Sequence, residues 1–145
     1  MKRLGFSILI VLLAGLISGL THAEGMRELM TLTIPFDFVA GNTSFPAGEY
    51  YVLGGPDQSL IWIKDLNAKK TAIVSTIPSI SLEASTNSGL QFHRYGDTYF
   101  LYKVVLAGKD VSKVVGKSTR EREIQLASGK ATITTVLTAD TATKR

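Results

Sequence analysis

The sequence predicts an all-β fold, a small antiparallel barrel or sandwich of seven or eight short strands with one short surface helix. Three observations lead there. Short runs of alternating or continuous apolar residues recur at close spacing. Pairs and clusters of Gly, Pro, Asn and Asp punctuate them. A single stretch around 118–126 has helix composition, whereas a parallel α/β fold needs a helical crossover between successive strands.

The chain opens on an address. Lys2 and Arg3 give a basic start, Leu4 to Leu20 is almost uninterruptedly apolar, and Thr21-His22-Ala23 ends on the small residue that signal peptidase requires. The expected organisation is a signal peptide over 1–23, cleaved after Ala23, and one β-rich domain over 24–145 with a frayed C-terminal tail. A retained anchor is the competing reading, since about 17 apolar residues can span a bilayer. Gly5, Gly15, Ser18 and Gly19 dilute the run, and the exit favours cleavage. The expected location is periplasmic or secreted, with no stable membrane span after cleavage. No cysteine is present, so neither a lipid acceptor nor a disulfide is available; a mature chain of this length can bury a core without staples.

Leu32–Val39 alternates, with Ile34, Phe36 and Phe38 on one side. Pro35 lacks an N–H, which places this strand at an edge, starts it at the proline, or breaks it there. Turns at Gly41–Ser44 and Phe45–Gly48 lead to a strand at Glu49–Leu53, closed by Gly54-Gly55-Pro56-Asp57. Ser59–Lys64 is apolar on both faces and reads as a central strand, with Asp65–Lys70 as a hairpin connection and Thr71–Thr76 as partner. Ile77–Leu82 continues that strand with a bend at Pro78, and Glu83–Ser88 is a loop. Leu90–Tyr95 and Thr98–Val105 flank Gly96-Asp97 and form the most strongly signalled hairpin, expected to set Leu90 or Phe92 against Phe100 or Tyr102. From Ser112 to Leu126 the strand pattern lapses. Ser118 followed three residues later by Glu121 satisfies a capping box and starts a short helix. Ala131–Leu137 is a last strand with at least one wet face.

The balance of 16 basic and 12 acidic residues, +4 overall, falls to +2 once Lys2 and Arg3 leave. That excess is too diffuse for nucleic acid. Without the leader one histidine remains, His93, opposite in parity to Leu90 and Phe92 and read as a surface or rim residue; its nominal acid partner is Asp97. No serine sits in a Gly-x-Ser-x-Gly elbow, and no metal motif or phosphate loop is present. No catalytic residue, metal site or cofactor is assigned. Asp37 and Glu49 flank a turn and are the one carboxylate pair considered for glycoside hydrolysis; an enzyme is the minority reading.

Aromatic residues supply the positive hint. Tyr50 and Tyr51, like Tyr99 and Phe100, must divide between two faces, so the outer face is either covered or exposes an aromatic strip. Tyr51, Trp62, Tyr95, Tyr99 and Tyr102 are the candidate ligand-binding residues. Arg94, Arg120 and Arg122 form a candidate anion rim, against the plainer view that 120–123 solvates a helix.

The segments Pro35–Gly41, Phe45–Tyr50 and Arg94–Phe100, followed by Lys117–Glu123, resemble a group of small exported proteins of soil bacteria. The resemblance touches most of the mature chain and implies a compact β domain behind a signal peptide. It brings no activity, ligand or catalytic residue; Phe45 departs from it, where a smaller aliphatic residue is expected. Two functions follow as expectations. The first is a non-catalytic binding module for a small apolar molecule, carbohydrate or peptide. The second is a structural or envelope-associated domain whose partner is another protein; a small hydrolase ranks third. A cavity above about 300 Å³ with convergent polar groups favours the first, and an open edge beside an apolar patch the second.

Overall fold

A computed structural model describes residues 25–138 apart from Ala68. The predicted leader, 1–23, and most of the predicted tail lie outside the described residues. Ten strands and one helix are present among them: β1 (Arg27–Ile34), β2 (Phe38–Ala40), β3 (Thr43–Phe45), β4 (Gly48–Gly54), β5 (Leu60–Asp65), β6 (Thr71–Ile80), β7 (Gly89–Tyr95), β8 (Thr98–Val105), β9 (Val111–Val115), α1 (Thr119–Ser128) and β10 (Thr132–Leu137). The fold is all-β with one short helix, as expected, but the strand count is higher and the sheet is mixed. Ladders run β1-β4-β5-β6-β9-β8, then divide: β8 pairs β7, which pairs β10, and β8 also meets β2 in one parallel contact, with β3 beyond it. The sheet curls until β10 approaches β1, yet no ladder joins them and the barrel stays open.

Three departures from the expected elements explain the count, one being that Thr43–Phe45, read as turn residues, form β3 against β2. The run through Pro35 is broken: β1 ends at Ile34, pairing with β4, and β2 begins at Phe38 in a different part of the sheet. A proline without a donor is a natural place for a chain to leave its ladder. The sidedness nevertheless holds, because Ile34 and Phe38 are buried in the main core and Phe36 packs against it. The last departure is β9, which lies in the stretch where the strand pattern lapses. Its Ser112 is buried against β6 and donates to the Ser79 carbonyl at 3.1 Å, so a polar residue occupies a position that periodicity reserves for an apolar one.

Strand β6 runs on through Pro78 and changes partner along its length. Thr71–Ser75 pair with β5 and Thr76–Ile80 pair with β9. At the changeover the buried Thr76 hydroxyl bonds the Ser59 carbonyl at 3.0 Å. The expected continuation past Ile77 is present, with Pro78 inside the strand opposite Lys113.

The inner face of this curled sheet is filled. Met30, Leu32, Ile34, Val52, Ile61, Ile63, Ala72, Val74, Leu90, Leu101, Val104 and Val115 meet there, each large aliphatic contributing about 1.5–3 kcal/mol by leaving water. One end is closed by aromatic rings. Phe38 stacks on Phe45 with centroids 5.2 Å apart, and meets Tyr50 and Phe92 edge-on at 5.1 and 5.4 Å. The Tyr50 hydroxyl donates to the Pro46 carbonyl, so its buried polar tip is satisfied.

The β7–β8 hairpin forms on the predicted turn, with Gly96 at φ 60° in the first turn position, where a type II′ turn needs glycine. Its side-chain partners differ from expectation. Gln91 faces Lys103 and Phe92 faces Leu101, so Tyr102 is an extra, bulged residue. The two-residue turn sets Phe92 and Leu101 toward the main core, which the bulge then lets Val104 face as well, and sets Phe100 against His93 on the opposite side. There Phe100, Val39 and Tyr95 form a second, smaller core closed by Ile124 of α1 and by Ala131.

Phe100→Ala should cost about 3–5 kcal/mol in urea unfolding, by emptying this second core. Gly89→Ala should disrupt the β7–β10 ladder, because an added Cβ would stand 2.5 Å from the Val136 carbonyl oxygen; loss of amide exchange protection confined to β7 and β10 is the expected readout.

Candidate functional site

Helix α1 begins where the capping box predicts. Ser118 is the N-cap and its Oγ accepts the Glu121 amide at 3.2 Å. The second half of the box does not form. The Glu121 carboxylate turns inward, where its side chain is 3% exposed and Oε1 lies 2.6 Å from His93 Nδ1. Tyr95 donates its hydroxyl to the same oxygen at 3.3 Å. An ionised carboxylate can only accept, so Nδ1 carries the proton of the His93 bond. Tyr102, placed by its bulge, stacks on the imidazole at 4.0 Å. His93 is thus a buried anchor for the helix rather than a rim residue, and its acid is Glu121 rather than Asp97. Burial, then the Glu121 charge, then the hydrogen bond to it push the Tyr95 phenol above its ordinary value of 10.0. Each of these disfavours a phenolate in that position.

Beside this cluster an open cleft of about 400 Å³ lies against the aromatic end of the core. Phe38, Val39, Phe45 and Pro46 supply apolar lining from β2, β3 and the turn after them. Asp37 precedes β2, Asp97 comes from the β7–β8 turn and Thr98 from the start of β8, Lys70 from the β5–β6 connection, and Arg120 from the first turn of α1. Consecutive residues of the helix are divided between the two places: Glu121 holds the sheet and Arg120 lines the cleft.

The predicted site residues do not converge. Tyr51 and Trp62 lie on the outer face of β4 and β5, where Trp62 stands between Leu53 and Ile73 in register and its ring covers Gly55. Tyr95 and Tyr102 flank His93 beneath α1. Tyr99 alone of the five lines the cleft; its ring stacks on Phe36 at 3.9 Å and has the Arg94 guanidinium 5.4 Å from its centre. A single aromatic strip is therefore replaced by three separate positions. The arginines divide as well: Arg120 lines the cleft, Arg94 bonds the Gly96 carbonyl through Nε at 2.7 Å, and Arg122 is exposed outside the cleft lining. Of the two carboxylates considered together, Asp37 alone lines the cleft. Asp37 accepts the Ala47 amide at 2.9 Å as part of its turn, and Glu49 is not among the lining residues.

Sequence reasoning missed Lys70, Ser44 and Asp97 as neighbours and the His93–Glu121 bond. A hint of the latter existed in Glu121, a charged residue i−3 from the helical Ile124 and so on the same side of α1. Among the described residues no group of three or more His, Cys, Asp or Glu is placed to hold a metal, and no helix is long and apolar enough to cross a membrane. No known protein family, curated protein or solved structure matches the chain.

Glu121→Ala should destabilise the protein by about 3 kcal/mol in urea, since it leaves the buried His93 and Tyr95 donors without their acceptor; Ser118→Ala should cost about 1 kcal/mol. The Tyr95 shift also predicts a pH dependence. A phenol raised by folding contributes stability that is full below the unfolded value near 10.0 and is lost as pH rises through its higher folded value. Unfolding followed between pH 9 and 11 should show a decline that Tyr95→Phe makes shallower.

Proposed function

We propose that this chain is an exported, non-catalytic binding module that takes a small polar ligand, of carbohydrate or peptide type, in the cleft beside α1. The observation that carries the reading is the contrast between a filled interior and an open, polar-rimmed cleft. The main core occupies the inside of the sheet, which argues against an apolar ligand held there. The cleft offers about 400 Å³ and combines apolar lining with Ser44, Thr98 and four charged residues, the mixture that small-molecule sites use to orient a ligand. The one histidine among the described residues is tied to Glu121 outside the cleft lining, which favours binding over acid–base chemistry. Export rests on the basic start, apolar run and Thr21-His22-Ala23 exit of the leader.

A second reading, an envelope-associated interaction domain, has one observation in its favour. On the outer face, Ile73 and Ile77 of β6 are 61% and 68% exposed, and Ile73 continues the row through Trp62 to Leu53. Such a face suits a protein partner.

Native mass spectrometry of protein isolated from its own periplasm or medium tests these together. The binding-module reading expects a chain beginning at Glu24 with a small molecule that is released on denaturation. A ligand-free chain in stoichiometric complex with another protein would instead support the second reading.

A further inference from the structure

The charge pattern of the cleft names the ligand more closely than the proposal above, on which this inference rests. Lys70 and Arg120 arrive from separate elements and meet over one residue. Lys70 Nζ donates to the Ser44 carbonyl at 2.7 Å, and Arg120 Nη1 lies 3.5 Å from Ser44 Oγ. The one acid–base pair within 4.0 Å among the described residues is His93 with Glu121, so neither cation has a carboxylate at salt-bridge distance there. Two like charges gathered on one wall repel each other and favour an anion between them. A guanidinium beside an ammonium suits a carboxylate, the first as a planar donor and the second as a point charge.

The same cleft has two acids. Asp97 stands on the β7–β8 turn, and Asp37 commits Oδ1 to the Ala47 amide while its other oxygen remains to accept. Two cations and two carboxylates lining one cleft without direct pairing are complementary to a ligand that carries both charges. A neutral sugar would desolvate these groups without supplying them charge partners. Tyr99 is a poor platform for a sugar ring as well, because its ring is already stacked on Phe36.

We infer that the ligand is a zwitterion of amino-acid or short-peptide type, its carboxylate held by Lys70 and Arg120 and its ammonium directed to Asp97 and Asp37. Lys70 and Arg120 then set specificity, and helix α1, anchored by Glu121, positions one of them.

The test is a titration of the isotope-labelled protein at low ionic strength, read by amide chemical shifts. The probes are alanyl-alanine, its N-acetylated and C-amidated form, and cellobiose. Alanyl-alanine should give saturable shifts at Ser44, Thr98 and Tyr99, and blocking both termini should weaken binding roughly tenfold or more. The double substitution Lys70→Gln and Arg120→Gln should weaken alanyl-alanine equally while leaving amide shifts of the main core unchanged. If the blocked dipeptide or cellobiose binds as tightly as the free dipeptide, or the double variant binds as well as the parent, the zwitterion assignment is overturned and the binding module stands. If no probe moves a cleft amide, both are overturned.

Discussion

The contact on which the rest of the structure depends is the ring cluster of Phe38, Phe45, Tyr50 and Phe92. Strands β2 and β3 are each three residues long, too short to be held by their ladders alone. Their rings anchor them. Phe38 and Phe45 stack on each other and meet Tyr50, and Phe38 also meets Phe92, so the hairpin sits as a plug on the end of an open sheet. Such pairs add roughly 0.5–1.5 kcal/mol each beyond burial. The plug serves two ends at once. Its inner side completes the main core, and its outer side becomes the lining of the cleft.

A second, polar constraint sets the other wall. Helix α1 has one half-buried apolar residue, Ile124, in the second core, while Leu126 is almost fully exposed. Its apolar grip on the sheet is slight. The Glu121 carboxylate compensates by collecting donors from His93 and Tyr95 inside a region where an unpaired charge would be costly. Because Arg120 is the residue immediately before it, the bond that seats the helix also decides where the arginine stands. Buried chemistry and cleft geometry are thus linked through one peptide unit.

Much of the fold was legible in local pattern. Alternation separated Tyr50 from Tyr51 and Tyr99 from Phe100 correctly, because a pleated strand forces neighbours apart. Gly96-Asp97 announced its hairpin, and Ser118 announced its helix. Strand β9 was not legible, since Lys113 interrupts Val111–Val115 and the buried Ser112 is justified only by the β6 carbonyl it meets. The bulge at Tyr102 was invisible for a related reason. It adds one residue to β8 without any local turn chemistry, so that Leu101 and Val104 both face the main core, whereas Phe100 opposite His93 follows from the two-residue turn itself.

The site was less legible than the fold. Candidate residues chosen by type, the tyrosines and arginines, scattered because type does not specify neighbours. The residues that do line the cleft span positions 37 to 120 and belong to elements that local pattern reads separately. The sequence by itself determined the all-β class, the sidedness of most strands, the turn at Gly96 and the start of α1, because these depend on residues within a few positions of one another. The tertiary structure alone decided that His93 would be buried, that Glu121 would leave its capping role to hold it, and that Lys70 and Arg120 would meet over Ser44. Those outcomes depend on how a curled sheet brings distant segments together, and local propensity carries no term for that.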